Sequence, residues 1–325
     1  MNKTLRANIC ILIAAMIWGS AFVTQRMGMD AMGPLYFVAL RMLLGSAVLI
    51  IVVFITGKMG VMKDMEGSVA DAEAAERAAG PRKAGAGFWT KSRKTLVKGG
   101  IACGVIICAA SNFQQLGLVS TDAGKSGFLT ALYIVLVPLI GMLIRKPVHA
   151  NHLVAAVIGM IGLYFLCING SFSLQPGDIV LLIGALFWAL HILVVDHFAP
   201  LLNPIKLSAF QFFVCGVLSI VLAMIAGEDI SLQMISDAKF AIAYTGIMSS
   251  SIAFTLQIFA QRHANPTAAS LIMSMEALFA TISGFLFLGE RFTSREAIGA
   301  VFMMAAVIIA QFSFRELREM IRKKK

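Results

Sequence analysis

The sequence predicts an all-α polytopic membrane protein with ten transmembrane helices, arranged as two inverted-topology repeats of five helices. Two properties of the whole chain indicate the membrane. Hydrophobic residues make up 59% of the 325 positions and charged residues only 14%, well below the roughly 25% usual in soluble domains. The charges are also clustered between long apolar segments, so a soluble fold could not cover its surface with polar groups.

Ten segments have the roughly 20 mostly apolar residues that a spanning helix needs. They lack the alternating pattern of barrel strands, and open strands cannot cross a bilayer. We therefore expect a helical bundle whose helices are joined mostly by short turns containing Gly, Pro or Asn. The predicted spans are 7–26, 35–56, 96–119, 124–144, 150–168, 178–197, 206–226, 238–261, 267–288 and 295–314.

The distribution of basic residues predicts the orientation. If the N-terminus is cytoplasmic, most of the 27 Lys and Arg residues lie on the cytoplasmic side, as the positive-inside rule requires. We therefore expect a multi-pass protein of the cytoplasmic (plasma) membrane with both termini in the cytoplasm. The same distribution explains the net charge of +10 without nucleic acid as a partner. The basic tail 315–325 is expected to lie against anionic lipid headgroups.

An internal repeat relates the two halves of the chain. At an offset of 170 residues, Trp18 aligns with Trp188 and Arg41 with Gln211, so the first two helices pair with the sixth and seventh. Because each half has five helices, an odd number, the second half must cross the membrane in the opposite sense. Secondary transporters commonly have this architecture.

A second alignment, at an offset of 143 residues, pairs the fourth helix with the ninth and places Glu276 on Tyr133. The predicted units are 1–168 for the first repeat, 169–314 for the second, and the tail. The stretch 57–95 is rich in Ala, Gly and charge, and we interpret it as a cytoplasmic insertion in the first repeat, partly helical or disordered.

Three motifs carry a family resemblance: IWGSAF at 17–22, GFLTALYIVLVPL at 127–139, and SMEALFATISGFLFLGERFTSREAIGAVFMMAAVII at 274–309. In their combination the chain resembles the drug/metabolite transporter superfamily in its EamA-type two-repeat form, over nearly its whole length outside 57–95. The resemblance implies ten helices and a central cavity lined mainly by helices 1, 3, 4, 6, 8 and 9. One departure is Ala277, because the family often has Pro directly after the helix 9 glutamate.

Polar residues inside the spans are the candidates for this cavity. A charge near the bilayer centre costs about 2.5–3.5 kcal/mol on insertion scales, so such residues usually face the bundle interior or water. The candidate substrate-cavity residues are Trp18, Ser20, Thr24, Asn112, Gln115, Tyr133, Trp188, His191, Gln257, Gln261 and Glu276.

Two interpretations stay open for the most notable of these residues. Glu276 is the ion-coupling candidate, as a protonation site or an anchor for a cationic group, or else a hydrogen-bonded carboxyl that ties helix 9 to its neighbours. Trp18 and Trp188 form cavity walls or serve as packing aromatics. Arg41 binds a carboxylate or a substrate anion, or else it bonds backbone carbonyls or extends to the interface.

Other chemistry finds little support in the sequence. The spans contain no paired carboxylates, HExxH motif or GxSx nucleophile, so we do not expect an enzyme. The five cysteines all lie in apolar segments without a CxxC pattern, which is typical of small hydrophobic side chains. The HxxH pattern of His149 and His152 is a poor zinc site because no helix-borne Glu accompanies it. Neither a cofactor nor a metal is expected.

The expected function is therefore secondary transport by alternating access. The substrates would be small polar or amphipathic metabolites, amino-acid-like compounds or related molecules, moved across the cytoplasmic membrane by an exporter. The resemblance supports export, because many bacterial members of the family are exporters. The alternatives are an uptake permease of the same fold, and a non-transporting membrane sensor or scaffold supported only by the insertion 57–95.

Overall fold

In the computed structural model, the described residues are 3–58, 91–121, 123–168, 175–288 and 293–311. Within these ranges the chain forms helices joined by turns and contains no β-strand, so the predicted all-α fold is confirmed. The helices are α1 (Lys3–Ala31), α2 (Pro34–Lys58), α3 (Lys91–Ser120), α4 (Ala123–Ala131), α5 (Tyr133–Leu143), α6 (Ala150–Cys167), α7 (Pro176–Phe198), α8 (Pro204–Ala226), α9 (Leu232–Asp237), α10 (Lys239–Tyr244), a π-helical segment (Thr245–Ala253), α11 (Phe254–Gln261), α12 (Pro266–Met273), α13 (Glu276–Leu288) and α14 (Ser294–Gln311).

In the described part of the chain, eight helical stretches are long and apolar enough to cross a membrane. They coincide with the first eight predicted spans. The ninth predicted span holds the two short helices α12 and α13, and the tenth holds the 18-residue helix α14, so the number of ten spans stays a prediction. Helices α2 and α3 extend into the predicted insertion from both sides. Residues 59–90 of that insertion and the tail 315–325 lie outside the described residues.

Proline and asparagine mark where several helices begin. Proline is the first residue of α2, α7, α8 and α12, a position where its missing N–H costs no helical hydrogen bond. Just before α8, the Asn203 side chain accepts hydrogen bonds from the amides of Ile205 and Lys206. Asn265 caps α12 in the same way through the amide of Thr267. These caps explain why the NP and ANP turns interrupt otherwise continuous apolar sequence.

Equivalent helices of the two repeats make equivalent packing contacts with the opposite half of the sequence. α1 packs on α13, and its counterpart α7 packs on α4 and α5. α2 packs on the π-helical segment, and its counterpart α8 packs on α3. The remaining large contacts are α2 with α8, α6 with α14, and α3 with α7. All three of these join one half of the sequence to the other.

Two of the predicted spans are broken near their middle. α4 is separated from α5 by Leu132, and α12 is separated from α13 by Ser274 and Met275. At each break an amide bonds the carbonyl three residues earlier: Leu132 donates to Leu129 at 3.3 Å, and Met275 donates to Ile272 at 3.1 Å. These two irregular bonds are related by the same offset of 143 residues that aligns the fourth helix with the ninth.

The π-helical segment lies against α2 at two glycines. A side chain at Gly45 would place its Cβ 3.0 Å from the carbonyl oxygen of Gly246, so the two backbones are nearly in contact. Ser251 donates to the carbonyl of Gly45 at 3.2 Å and to that of Gly246 at 2.9 Å. π-Helical insertions are rare and frequently occur at functional sites.

Helices α6 and α14 approach each other even more closely. A Cβ at Gly299 would lie 2.7 Å from both the carbonyl oxygen of Gly162 and the amide nitrogen of Leu166. Backbone atoms cannot rotate away from such a contact, so any side chain there must separate the helices. Small residues at helix crossings are the usual basis of close packing in membranes.

We predict that Gly299→Ala lowers the stability of the folded protein by about 1–3 kcal/mol, because the added methyl group overpacks the crossing. Thermal unfolding of the purified protein in detergent measures the effect. Gly127→Ala is the matched control, since a Cβ at Gly127 has nothing within 4 Å. Equal unfolding temperatures for the two variants would contradict the proposed packing constraint.

Candidate functional site

A cavity with about 520 Å³ of empty space, which includes space open to the surroundings, lies among the helices of the bundle. Both halves of the sequence contribute to its wall, through α1 to α5 in the first half and through α7, the π-helical segment and α11 to α13 in the second. The lining residues are Trp18, Phe22, Gln25, Arg41, Gln114, Thr130, Tyr133, Trp188, Ile192, Ser249, Phe254, Gln257, Met273 and Glu276.

An aromatic cluster forms one part of the wall. The ring of Phe254 packs edge-on against Trp18, with centroids 4.8 Å apart, and stacks on Trp188, with centroids 5.9 Å apart. Phe212 supports Phe254 from behind at 5.5 Å. The two tryptophans that the repeat aligns therefore contact one phenylalanine from two sides, and both are packed and cavity-lining at once.

Glu276 is the first residue of α13, directly after the break in the ninth span. Its Oε1 accepts a hydrogen bond of 3.1 Å from the hydroxyl of Tyr133, which is the first residue of α5 after the other break. A carboxylate at a helix N-terminus interacts favourably with the helix dipole. The break occurs with Ala277 at the position where the family often has Pro, so proline is not needed for it here.

Gly19 allows α1 to pack tightly beside this carboxylate. A Cβ at Gly19 would lie 2.7 Å from the backbone oxygen of Glu276 and 2.6 Å from the Cβ of Phe279. The IWGSAF motif of α1 therefore supplies both a cavity wall, through Trp18, and the space for the start of α13.

Arg41 reaches the cavity from α2 and is 3% exposed. Its Nε atom has no hydrogen-bond partner. The ion pairs Lys125–Asp178 and Lys146–Asp196 do not involve Arg41. A buried guanidinium nitrogen without a hydrogen-bond partner is costly, so the Nε of Arg41 is a notable feature of the cavity region.

Neutral polar groups complete the wall. Gln25, Thr130 and Gln257 are buried, and one side-chain oxygen of each lacks a hydrogen-bond partner. Native structures leave few buried polar atoms unsatisfied, and such atoms call for an explanation in ligand or water binding. The cavity thus combines an apolar wall with scattered polar groups, as small-molecule sites do.

Five of the sequence candidates line the cavity: Trp18, Tyr133, Trp188, Gln257 and Glu276. The other six are used elsewhere or lie outside its wall. In α1, the Ser20 hydroxyl lies 2.6 Å from the hydroxyl of Tyr244, and Thr24 donates to the backbone carbonyl of its own helix at Ala21.

On α3 the two predicted residues, Asn112 and Gln115, lie outside the cavity wall. Asn112 donates to the carbonyl of Cys108 and to the hydroxyl of Ser219, both at 2.8 Å, and so ties α3 to α8. Gln115 is fully buried but does not line the cavity. Gln114 lines it instead. Because α3 is buried against both α7 and α8, its helical spacing alone could not select the cavity face.

His191 and Gln261 are likewise committed to helix contacts. The His191 Nε2 lies 3.0 Å from the Oε1 of Gln211. Gln261 accepts from Gln257 at 2.9 Å and donates to the carbonyl of Ile192 at 3.0 Å. Gln257 and Gln261 lie one turn apart on α11 and bond each other, but only Gln257 lines the cavity.

The cavity residues that the sequence did not single out are mostly apolar or neutral. Phe22, Ile192 and Met273 give no signal in a sequence where apolar residues are everywhere. Phe254 was recognisable only after the two tryptophans were placed. Gln25 follows Thr24 directly, and Ser249 lies in the SSS run 249–251. The sequence therefore shows that these residues are polar, but not which of their neighbours faces the cavity.

Comparison with known proteins gives a consistent family assignment. The model of the EamA-like transporter family matches residues 5–66 and 175–312, which together exceed half of the chain. A protein of Archaeoglobus fulgidus named an uncharacterized transporter is 27% identical over 94% of this chain and 86% of its own length. The inner membrane transporter YedA of Escherichia coli, also named uncharacterized, is 23% identical over 92% of this chain and 89% of its own.

A solved crystal structure supports the fold independently. It superposes with a TM-score of 0.71 and covers 94% of this chain and 96% of the other, at 16% sequence identity. At that identity the likeness concerns the fold alone. The resemblance on which the sequence analysis relied, to the EamA-type drug/metabolite transporters, is confirmed by the family match.

We predict that Tyr133→Phe destabilises the protein by about 1–2 kcal/mol, because the buried carboxyl of Glu276 loses its hydrogen-bond donor. Thermal or denaturant unfolding measures the change, and a double-mutant cycle with Glu276→Gln should show that the two substitutions are not additive. Tyr244→Phe is the control, since Tyr244 bonds the uncharged Ser20. Strict additivity of the Tyr133 and Glu276 substitutions would show that the bond contributes nothing.

Proposed function

The chain belongs to the EamA-like transporter family, and we propose that it exports small polar or amphipathic metabolites by alternating access, as a secondary transporter. The observation that carries this proposal is the interior cavity, whose wall joins both halves of the sequence and holds Arg41 and Glu276 beside an apolar surface. Buried charges within membrane spans commonly mark substrate or ion pathways.

The pairing of helices supports alternating access. In an inverted repeat, the two halves exchange conformations around a site at their interface. The contacts of α1 with α13 and of α7 with α4 and α5 are related by the repeat, as are those of α2 with the π-helical segment and of α8 with α3. In each of these contacts a helical segment of one half packs against a helical segment of the other half. The cavity lies at the interface between the two halves.

The two helix breaks support the same proposal. Irregular backbone at membrane depth is tolerated where it is buried in protein or lines a cavity, and discontinuous helices form substrate sites in several transporter folds. The residues that follow the two breaks, Tyr133 and Glu276, both line the cavity and bond each other. We propose that the repeat units are 1–168 and 169–314.

We place the protein in the cytoplasmic membrane with both termini in the cytoplasm. The support is the excess of Lys and Arg in the loops assigned to that side, together with the inner-membrane name of the Escherichia coli relative. The export direction follows the family resemblance. In this orientation the tail 315–325 would meet the anionic headgroups of the inner leaflet.

We further propose that Glu276 couples transport to protons. It is the one carboxylate that lines the cavity among the described residues, and it is 9% exposed. A buried carboxyl that contacts a substrate cavity can exchange a proton when the cavity opens to water on either side. Its Tyr133 partner would hold the carboxyl in one position during that exchange.

Transport itself is tested by reconstituting the purified protein into liposomes loaded with the standard amino acids and related metabolites. We expect protein-dependent release of at least one compound, measured by mass spectrometry of the external medium against protein-free liposomes. Gly127→Ala, which has space for its methyl group, should release the same compounds. Absence of release from vesicles that contain correctly folded protein would refute the transporter proposal for these compounds.

Proton coupling predicts that Glu276→Gln removes the dependence of transport on an imposed pH gradient, while exchange of unlabelled for labelled substrate continues. Flux is compared with and without the gradient in the same vesicles. Glu228→Gln is the matched control, because Glu228 caps α2 through the amides of Leu35 and Tyr36 and does not line the cavity. If the gradient drives both variants equally, the coupling residue is not Glu276.

A further inference from the structure

We infer that Cys108 and Cys215 form a binding site for a monovalent soft metal ion, Cu(I) or Ag(I), where α3 crosses α8. The inference is independent of the proposed function, and neither cysteine belongs to the wall of the cavity. Each thiol comes from a different half of the sequence. An ion bound by both thiols would therefore link the two halves of the bundle directly.

The two thiols meet although they lie far apart in the sequence. Cys108 on α3 is 4% exposed and Cys215 on α8 is 0% exposed, and their side chains are hydrogen-bonded to each other. Both belong to the same buried cluster. Because no CxxC spacing connects them, sequence reasoning missed the pair and interpreted each cysteine as a small hydrophobic residue. Paired thiolates are the ligands that soft metal ions prefer.

Hydrogen-bond donors surround the sulfur of Cys108. The Nδ2 of Asn112 lies 3.3 Å from this sulfur, and the hydroxyl of Ser219 lies 3.6 Å from it. The amide of Asn112 also donates to the carbonyl of Cys108 at 2.8 Å, so its nitrogen rather than its oxygen is directed at the sulfur. A metal-bound sulfur carries negative charge. Donors placed around it are the outer-shell partners that orient and stabilise a metal ligand.

The charge of Arg41 suits a metal ion held by two thiolates. Arg41 lies on α2, which packs on α8, and its guanidinium interacts electrostatically with Cys215. Binding replaces the S–H bonds of the two thiols with two bonds from sulfur to the metal and releases two protons. The metal keeps its oxidation state, so the step needs no oxidant or reductant. The resulting unit carries one net negative charge, which the guanidinium compensates.

The number of ligands selects the kind of ion. The described residues contain no group of three or more Cys, His, Asp or Glu side chains that could hold a metal ion. Zinc takes four ligands in structural sites, whereas Cu(I) and Ag(I) form stable complexes with two thiolates alone. The pair of thiols therefore favours a monovalent soft ion over Zn²⁺.

The repeat provides an internal comparison for this crossing. A Cβ at Gly104 on α3 would lie 2.9 Å from the carbonyl oxygen of Gln211 on α8. In the same way, a Cβ at Gly246 in the π-helical segment would lie 3.0 Å from the carbonyl oxygen of Arg41 on α2. Because Gln211 aligns with Arg41 in the repeat, the crossing of α3 with α8 is equivalent to that of the π-helical segment with α2.

One helical turn further along, the two equivalent crossings differ in chemistry. Cys108 meets Cys215 at the first crossing. At the second, Ser250 meets Gly45, where a Cβ on the glycine would lie 2.8 Å from the Cβ of the serine. Side chains without sulfur thus allow the same close approach of helices. The paired thiols are not a requirement of packing at this place in the fold, which supports a role in binding a ligand.

The test measures Cu(I) binding to the full-length protein in detergent, without oxygen and without added thiols. The protein is titrated into the coloured Cu(I) complex of bicinchoninate, and the loss of absorbance reports the copper that the protein removes. We expect the unaltered protein to remove a single copper ion per molecule, because two thiolates at one site compete with the chelator where isolated thiols do not. If the protein removes no copper, the inference is wrong.

Cysteine variants locate the ion. Cys108→Ser and Cys215→Ala should each weaken copper binding by more than the roughly 10- to 100-fold that loss of an outer-shell partner costs. Cys103→Ala is the matched control, since Cys103 lies on the same helix and is equally buried but belongs to a different cluster. This variant should bind as the unaltered protein does. Undiminished binding by Cys108→Ser or by Cys215→Ala would overturn the site.

Ser219→Ala tests the donors around the sulfur without removing a ligand. We expect about 10-fold weaker copper binding, because the sulfur of Cys108 loses one hydrogen-bond donor. The same bicinchoninate competition measures the change. An unchanged affinity would contradict the proposed role of the surrounding donors.

Two further measurements keep the inference testable even where a variant folds poorly. X-ray absorption of the copper-loaded unaltered protein should show Cu(I) with sulfur neighbours only, and a shell containing nitrogen or oxygen would contradict the site. Added Cu(I) should also raise the unfolding temperature of the unaltered protein, because the ion binds the folded state. An equal rise in the double variant Cys108→Ser/Cys215→Ala would show that the ion binds elsewhere.

Discussion

The absence of water in the bilayer core is the constraint on which the rest of this structure depends. Every backbone amide and carbonyl must find a partner within the protein, which restricts the spans to helices and makes each interruption costly. The two interruptions here, at Leu132 and at Ser274–Met275, both lie directly before cavity residues. The hydrogen bond from Tyr133 to Glu276 joins the helices that begin after these interruptions. The irregular backbone and the polar side chains therefore lie together at the cavity.

Charged side chains occur in two places, at the ends of helices and in the wall of the cavity. Lys125 with Asp178, and Lys146 with Asp196, connect the two ends of the α4–α5 span to the two ends of α7, near the membrane surfaces. Arg41 and Glu276 lie in the cavity and lack such partners. Within the described residues, the lysines Lys125 and Lys146 at the helix ends have carboxylate partners, whereas no ion pair is formed by either of the two charged side chains that line the cavity. Close contacts at Gly19 and Gly299 hold this arrangement together by bringing backbones into contact.

Much of the fold could be predicted from the sequence, because hydropathy reports directly on the bilayer. The first eight spans, the starts of helices at Pro and Asn, and the family all follow from local patterns. The cavity was less accessible to prediction. Trp18, Trp188 and Glu276 were found through the repeat and through their cost in a membrane. On α3, however, Asn112 bonds Ser219 of α8 and Gln115 is buried outside the cavity wall, while Gln114 lines it. A helix that is buried on all sides does not have one polar face, so the sequence does not show which of its polar residues point toward the cavity. That requires the packed structure.

The π-helical segment Thr245–Ala253 sets the direction of everything that follows it in the eighth span. Each residue inserted into an α-helix turns the chain beyond it by about 100°, so the wider turns before α11 act as an angular offset. Phe254 and Gln257 meet the cavity, and Phe254 meets both tryptophans, at the angle that this offset fixes. Shortening the segment by one residue to give a regular α-helix would turn the aromatic wall away from the cavity while leaving both ends of the span in place. The shape of the site is thus encoded partly in the winding of a helix, not only in its side chains.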